Sequence, residues 1–202
     1  MASDYQLERT VKPVLAPVTL DQVKTDLRLQ YDNEDSLINS LIAAATDFMD
    51  VPNGLINKAL ITQTWVLSCS GFNENRIIDI PITPVQSIQS IQYYDVDDVL
   101  QTFDMANVYV YGDENSAWVE AKKAYAIPAF FDRRDAVIIT FIAGFGDSPD
   151  AVPATINQAM RMTIGHWFDN RAAVSVGAGI VVTELPLAVQ SLISVNKKGW
   201  VG

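Results

Sequence analysis

The sequence predicts an α+β fold: a helical bundle built from N- and C-terminal helices, with an inserted antiparallel β module. Near the N-terminus and again after Pro153, apolar residues recur every three or four positions, which is typical of amphipathic helices. Between these regions, short stretches alternate apolar and polar residues and are separated by turn residues, which is typical of antiparallel strands. With 202 residues, 49% of them hydrophobic, the chain can build one core and a small second domain.

These patterns divide the chain into an N-terminal arm, a helical domain in two pieces, a β module and a C-terminal tail. The expected boundaries are 1–18 for the arm, 19–60 and 146–194 for the helical domain, 61–145 for the β module and 195–202 for the tail.

Two helices are predicted before residue 51. Thr19 and Gln22 have the spacing of a capping box, which predicts a helix from Leu20 to about Leu29. The acidic run Asp32–Asp35 could be a metal site, but it is interpreted as the cap of a second helix ending near Asp50, because carboxylates are favoured at a helix N-terminus and an apolar helical pattern follows.

Short alternating stretches predict the strands of the β module. The first is residues 61–70, where Ile61, Gln63, Trp65, Leu67 and Cys69 share one face. The others are 76–80, 87–94, 99–103, 107–111, 117–121 and 136–143.

The helix after Pro153 carries the clearest apolar stripe in the chain. Its members are Ile156, Ala159, Met160, Thr163, Ile164 and Trp167. Residues 172–183 lack periodicity and are expected to form a mobile loop, and a last short helix is expected from Leu185 to Ile193.

Charge and composition restrict the function. The net charge of −10 argues against tight, sequence-independent DNA binding, which needs Lys and Arg to neutralise phosphates. Cys69 is the single cysteine, so an internal disulfide is excluded. The sequence has neither a long apolar run nor a signal peptide, so a cytoplasmic protein that does not enter membranes is expected.

The residues that could carry chemistry are few. His166 is the single histidine and is interpreted as structural, and no base accompanies Cys69. Asp95, Asp97 and Asp98 form the best metal candidate, but a solvated hairpin turn is favoured because the calcium-loop glycine and later acid are missing. Gly144 and Gly146 resemble a phosphate loop only superficially, so this pair is interpreted as a turn. No catalytic, metal or cofactor site is predicted.

Two other features are compatible with binding. The β module is rich in aromatic residues, which could form a protein interface or core: Tyr93, Tyr94, Tyr109, Tyr111, Phe130 and Phe131. In the tail, Lys197 and Lys198 lie beside Trp200, a composition that suits either a docking peptide or an unstructured terminus.

Several motifs, in this order, resemble the head-to-tail connector, or adaptor, proteins of tailed phages and gene transfer agents. The helix pair VTLDQVKTDLRLQYDNEDSLINSLIAAATDFMD comes first, followed by the strand LITQTW. The strand and hairpin IPITPVQSIQSIQYYDVDD, the turn and helix ITFIAGFGDSPDAVPATINQAM, and the stretches FDNR and LPLAVQSLI complete the match. The sequence VPNGLINK departs from the family, which has a Thr-Gly-Arg turn there.

This resemblance implies a structural virion protein of the neck, without enzymatic activity or cofactor, that is assembled in the host cytoplasm. Connectors of this type form a ring, here of twelve copies, between the portal protein and a tail or stopper protein, and DNA passes through the lumen without specific binding. The resemblance implies that the tail docks on the portal through Val195, Asn196, Lys197, Lys198, Gly199, Trp200, Val201 and Gly202.

Two other functions remain open at the level of sequence. The aromatic-rich module could belong to a β-rich virion protein that binds carbohydrate or another surface ligand. An enzyme using Asp95, Asp97 or His166 is the weakest hypothesis, because no base, nucleophile and oxyanion donor can be aligned.

Overall fold

The computed structural model describes residues 5–170 and 185–197, which form four α-helices and eight strands. The helices are α1 (Leu20–Leu27), α2 (Asp35–Met49), α3 (Ala154–Asp169) and α4 (Leu187–Asn196). The strands are β1 (Tyr5–Val11), β2 (Gln63–Cys69), β3 (Ile77–Asp79), β4 (Val85–Tyr94), β5 (Leu100–Thr102), β6 (Val108–Gly112), β7 (Ala117–Ala121) and β8 (Val137–Ala143). The expected loop at 172–183 lies outside the described residues.

The chain folds as two compact units, each built from two chain segments. The β unit comprises Met1–Pro13 and Thr62–Phe145, and the helical unit comprises Val14–Ile61 and Gly146–Gly202. The predicted fold, a helical bundle with one inserted β module, is therefore wrong. The chain begins in the β unit, because residues predicted to form an arm supply strand β1. The β residues also form two separate antiparallel sheets, so the chain as a whole is mixed α+β.

The larger sheet of the β unit has five antiparallel strands in the order β1-β2-β8-β4-β5. Strand β8 lies at its centre, and in both β2 and β8 every second residue is buried. The buried side chains of these two strands include Trp65, Leu67, Ile139 and Phe141. This alternation confirms the period of two that predicted the strands.

The smaller sheet has three antiparallel strands in the order β3-β7-β6. Its central strand β7 buries Ala117, Val119 and Ala121. The guanidinium of Arg76, just before β3, donates hydrogen bonds to three backbone carbonyls, those of Ala121 (3.2 Å), Lys122 (2.8 Å) and Tyr125 (2.6 Å). One side chain thus ties the start of β3 to the segment that leaves β7.

In the helical unit, α3 contacts α1, α2 and α4. The apolar stripe predicted on α3 is buried from Ile156 to Ile164, whereas Trp167 is half-buried and packs edge-to-face on Phe48 of α2, with ring centroids 5.6 Å apart. Asn157, also buried on α3, donates a hydrogen bond from Nδ2 to the Pro17 carbonyl (3.1 Å), which satisfies its amide.

Both helices begin where predicted, but only the first has a side-chain cap: α2 starts in the acidic run with Glu34 as its N-cap and no side-chain capping hydrogen bond. Thr19 and Gln22 form the capping box of α1 through reciprocal side chain to backbone hydrogen bonds. At the start of α2, however, Asp32 and Asp35 bind the ammonium of Lys24 at 2.6 and 2.8 Å. The pKa of Asp32 is lowered by its hydrogen bond and charge interaction with Lys24. These acids therefore link α1 to the start of α2.

Candidate assembly surfaces

The end of α4 carries the first residues of the predicted docking tail. Val195 and Asn196 belong to the last turn of α4, and Lys197 follows as its C-cap. Asn196 accepts a hydrogen bond from the Thr155 hydroxyl of α3 (3.1 Å), whereas the Val195 side chain is 80% exposed. Residues 198–202 lie outside the described part of the chain. The helix thus fixes where the remainder of the tail starts.

The acidic stretch 95–98 forms the turn between β4 and β5. The Asp95 carboxylate accepts hydrogen bonds from the backbone N–H groups of Asp97 and Val99 and from the Gln101 amide. The backbone hydrogen bond from Val99 is the main cause of a lowered pKa at Asp95. Asp98 instead pairs with Arg133 at 2.9 Å. The Asp95 carboxylate thus binds groups of the turn and of β5, and the Asp98 carboxylate binds Arg133. Within residues 5–170 and 185–197, no group of His, Cys, Asp or Glu side chains is arranged to hold a metal ion.

Arg133 connects that turn to the start of β8. Its guanidinium also pairs with Asp135 at 2.7 Å and lies 3.8 Å from the centre of the Tyr94 ring. Hydrogen bonding to Arg133 holds the pKa of Asp135 below its ordinary value. Because the side chains of Arg133 and Asp135 are 29% and 42% exposed, solvent screens their attraction, and the ion pair contributes little to stability.

The aromatic residues of the β unit include a packed cluster and several exposed rings, among them Phe131, which is 39% exposed. The cluster is centred on the buried Phe103, which contacts the half-buried rings of Phe72, Tyr93 and Tyr125. Phe130, also half-buried, contacts Phe72 and Tyr93, and ring centroids throughout the cluster are 5.2–6.4 Å apart. By contrast, Tyr109 and Tyr111 on the edge strand β6 are 49% and 41% exposed. Tyr93, one of the aromatic residues expected to form either an interface or the core, is therefore mainly a packing residue, whereas the β6 tyrosines lie on the surface.

The candidate catalytic residues occupy structural positions. Burial raises the pKa of the Cys69 thiol, which makes the reactive thiolate scarcer. His166 Nδ1 lies 3.2 Å from the Asn170 amide at the C-terminal end of α3. Gly144 has φ = 134° and donates its N–H to the Pro84 carbonyl, as a turn glycine does.

The structure also reveals a surface that sequence analysis missed, the second face of the five-stranded sheet. We name it the open sheet face, and its side chains are all exposed or half-exposed. Strand pairing places them in three rows: Gln6, Ser68, Ile138, Gln92 and Thr102; Glu8, Val66, Thr140 and Ser90; Val11, Thr64, Ile142 and Ser87. Among these residues Glu8 alone carries a charge. A depression of about 390 Å³ on this face is lined by Gln6, Leu7, Glu8, Val66 and Ser68.

A signal for this surface is present in the sequence. Strand β8, VIITFIA, is apolar except for Thr140. Such a continuous run is typical of a strand covered on both faces. Here the face containing Ile138 and Ile142 is only half-buried.

Part of the chain is similar to a known protein family. Residues 17–102 match the family of phage gp6-like head-tail connector proteins. The family match spans α1, α2 and strands β2 to β5. No curated protein matches the chain.

Solved structures are similar to nearly the whole chain. One is the neck of an empty gene transfer agent particle computed with C6 symmetry, at TM-score 0.76 and 23% identity, covering 98% of this chain and 97% of that one. The virion of a native gene transfer agent particle contains a similar chain, at TM-score 0.76 and 22% identity with the same coverage. The neck of the native particle computed with C12 symmetry matches at TM-score 0.69 and 21% identity, again over 98% and 97% of the two chains. At these identities the likeness establishes the fold.

In the described part of the chain, no helix is both long enough and apolar enough to cross a lipid bilayer.

Proposed function

We propose that this protein is a structural connector in the neck of a phage or phage-like particle, joining the DNA-filled head to the tail. The observation that carries the proposal is the match to the head-tail connector family over residues 17–102. The similarity of nearly the whole chain to proteins in gene transfer agent necks supports it. The protein acts by binding other proteins and not by catalysis, in keeping with the structural positions of Cys69 and His166.

The protein forms a ring of twelve copies beneath the portal. The symmetries of the related necks, C6 and C12, support a ring. A head-to-tail contact between two different surfaces of one chain generates such a ring when its rotation closes. With a net charge of −10 per copy, the lumen repels phosphate and lets DNA pass without gripping it.

The C-terminal tail, residues 195–202, docks on the portal. Helix α4 presents Val195 and Lys197 to solvent at the point where the tail starts. The sequence beyond this point has a basic residue and an aromatic residue, Lys198 and Trp200, of the kinds that anchor peptides in pockets and on acidic surfaces. The tail or stopper protein binds elsewhere on the ring.

Truncation tests the tail assignment. Deletion of residues 197–202 spares α4 and is expected to leave the unfolding midpoint unchanged while abolishing capture by the portal protein of the same particle in a pull-down. Leu187→Asp, at the opposite end of α4 and likewise 80% exposed, is the matched control and retains capture. Undiminished capture of the truncated chain would refute the tail assignment.

Complementation tests the function as a whole. Particles made without this protein are expected to accumulate unjoined heads and tails, and supplying the intact chain restores joined particles in which it is found at the neck by electron microscopy. Normal joining without the chain would contradict the proposed function.

A further inference from the structure

We propose that the open sheet face is the surface through which one copy of this chain binds the next copy in the ring. The inference rests on the proposed function, since only a ring requires such a contact. It assigns a specific part of the β unit to that contact.

The charge distribution favours a second copy as the occupant. Each chain carries a net charge of −10, with 24 acidic residues, so identical copies repel one another at most relative orientations. On the open sheet face the sole charged residue is Glu8, which lies on the edge strand β1. A neighbour can therefore approach this face without bringing carboxylates against carboxylates, and the centres of protein interfaces are depleted of charge in the same way.

The chemistry of the face argues against nucleic acid. DNA binding depends on Lys and Arg to neutralise phosphates, and binding of single strands adds aromatic rings for stacking. The three rows of the face contain neither, and consist of hydroxyl, amide and aliphatic side chains around Glu8. A face with this composition is suited to binding a protein surface of similar polarity.

The pattern of strand β8 indicates that this face is covered in the assembled protein. Ile138 and Ile142 alternate with the fully buried Ile139 and Phe141, yet remain half-exposed in the single chain. Aliphatic side chains on both faces of a central strand are typical of sheets with both faces covered. A neighbouring copy would complete that cover, and the depression beside Val66 can receive one of its side chains.

The size of the face fits a ring better than an isolated pair. Five strands about 4.8 Å apart and three rows about 7 Å apart give a patch of roughly 400 Å² including side-chain width. This is about half the 800 Å² that each partner buries in a standard stable interface. Two copies alone are thus held weakly, whereas each copy in a closed ring has two neighbours.

A photocrosslinking residue tests the occupant directly. Ser68, half-exposed beside the depression, is replaced by benzoylphenylalanine, and joined particles assembled with this variant are irradiated before denaturing electrophoresis. A product of twice the mass of the chain, with peptides of this chain on both sides of the cross-link, is the expected result. Cross-links to the portal, to a tail protein or to DNA would overturn the inference, and so would a neck that contains the variant but yields no cross-link to a second copy.

Charge substitution provides the second measurement. Thr140→Glu places a carboxylate at the centre of the face and is expected to lower the number of copies in purified necks by about tenfold, since like charges at an interface are strongly unfavourable. Val14→Glu, at a side chain that is 94% exposed and off this face, adds the same charge and is expected to have little effect. Ser90→Glu, also on the face, is measured in parallel, and the circular dichroism melt identifies any variant that fails to fold.

Equal incorporation of folded Thr140→Glu or Ser90→Glu and Val14→Glu would refute the inference while leaving the connector function intact. If the unsubstituted chain were absent from purified necks, the proposed function itself would fail, so the two failures are distinguishable.

Discussion

At the scale of single residues, Arg76 illustrates how the β unit uses a charged side chain for internal structure. Its backbone has a positive φ of 67°, which directs the chain sharply into β3. Its guanidinium binds three carbonyl oxygens of a segment more than forty residues away. No motif in the sequence distinguishes this arginine from a solvated one, because the carbonyls it binds belong to the backbone and leave no pattern.

We predict that Arg76→Ala lowers the free energy of unfolding by about 2–3 kcal/mol, since the variant loses charge-assisted hydrogen bonds and leaves partly buried carbonyls unpaired. Arg76→Lys is expected to recover only part of this, because an ammonium lacks the planar arrangement of donors. Urea unfolding followed by circular dichroism measures both. A loss below about 0.5 kcal/mol for the alanine variant, the size of an ordinary surface substitution, would contradict the bracing role.

Individual residues also show where sequence reasoning misassigned a contact. The acids Asp32 and Asp35 were expected to cap α2, but they bind Lys24, which comes from the preceding helix. Capping patterns depend on local spacing alone, and they fail when a nearby cation competes for the same carboxylates. The capping box of Thr19 and Gln22 was predictable because both of its hydrogen bonds are local.

At the scale of elements, periodicity predicted most of the secondary structure. Strand β7 lies at the residues expected, and α3 begins next to Pro153 as expected. Strand β1 was missed because only two of its side chains, Leu7 and Arg9, are even half-buried, so it has little hydrophobic pattern. Its place in the sheet is set by backbone pairing with β2, which sequence patterns do not record.

The contact between α2 and α3 yields a prediction about paired elements. Phe48 and Trp167 are both half-buried and meet edge-to-face. In a double-mutant cycle with Phe48→Leu and Trp167→Leu, we expect a coupling free energy of about 0.5–1.5 kcal/mol, as for other aromatic pairs. The matched cycle pairs Phe48→Leu with Leu187→Ala, whose side chain is 80% exposed, and is expected to show coupling near zero. Equal coupling in the two cycles would mean that the ring contact adds nothing.

At the scale of the whole molecule, strand order and unit boundaries were beyond the reach of the sequence. The pairing of β1 with β2, and of β2 and β4 with β8, joins residues far apart in the chain. The candidate site was predicted only in part. The resemblance directed attention to the C-terminal tail, whereas the sequence signal for the open sheet face is limited to the apolar run of β8, and its extent requires the pairing of five strands.

Net charge leads to a prediction for the assembled protein. Copies that each carry a charge of −10 repel one another, and salt screens that repulsion. Ring formation by the purified chain, alone or with its portal, is therefore expected to strengthen as NaCl rises from about 50 mM to about 500 mM, where the screening length falls to a few ångströms. Sedimentation velocity measures the change. Weaker association at high salt would show that opposite charges, and not a charge-poor face, hold the copies together.

The central position of β8 has a consequence for synthesis on the ribosome. Strands β2 and β4 both pair with β8, so the larger sheet cannot close until residues 137–143 have left the exit tunnel. Helix α3 has the same place in its own unit, since α1, α2 and α4 all pack on it. Neither unit can therefore complete its core until the last third of the polypeptide has been synthesised. Until then, strand edges stay unpaired and the apolar faces of α1 and α2 stay exposed. This interval is when nascent chains are most exposed to aggregation and most in need of chaperones.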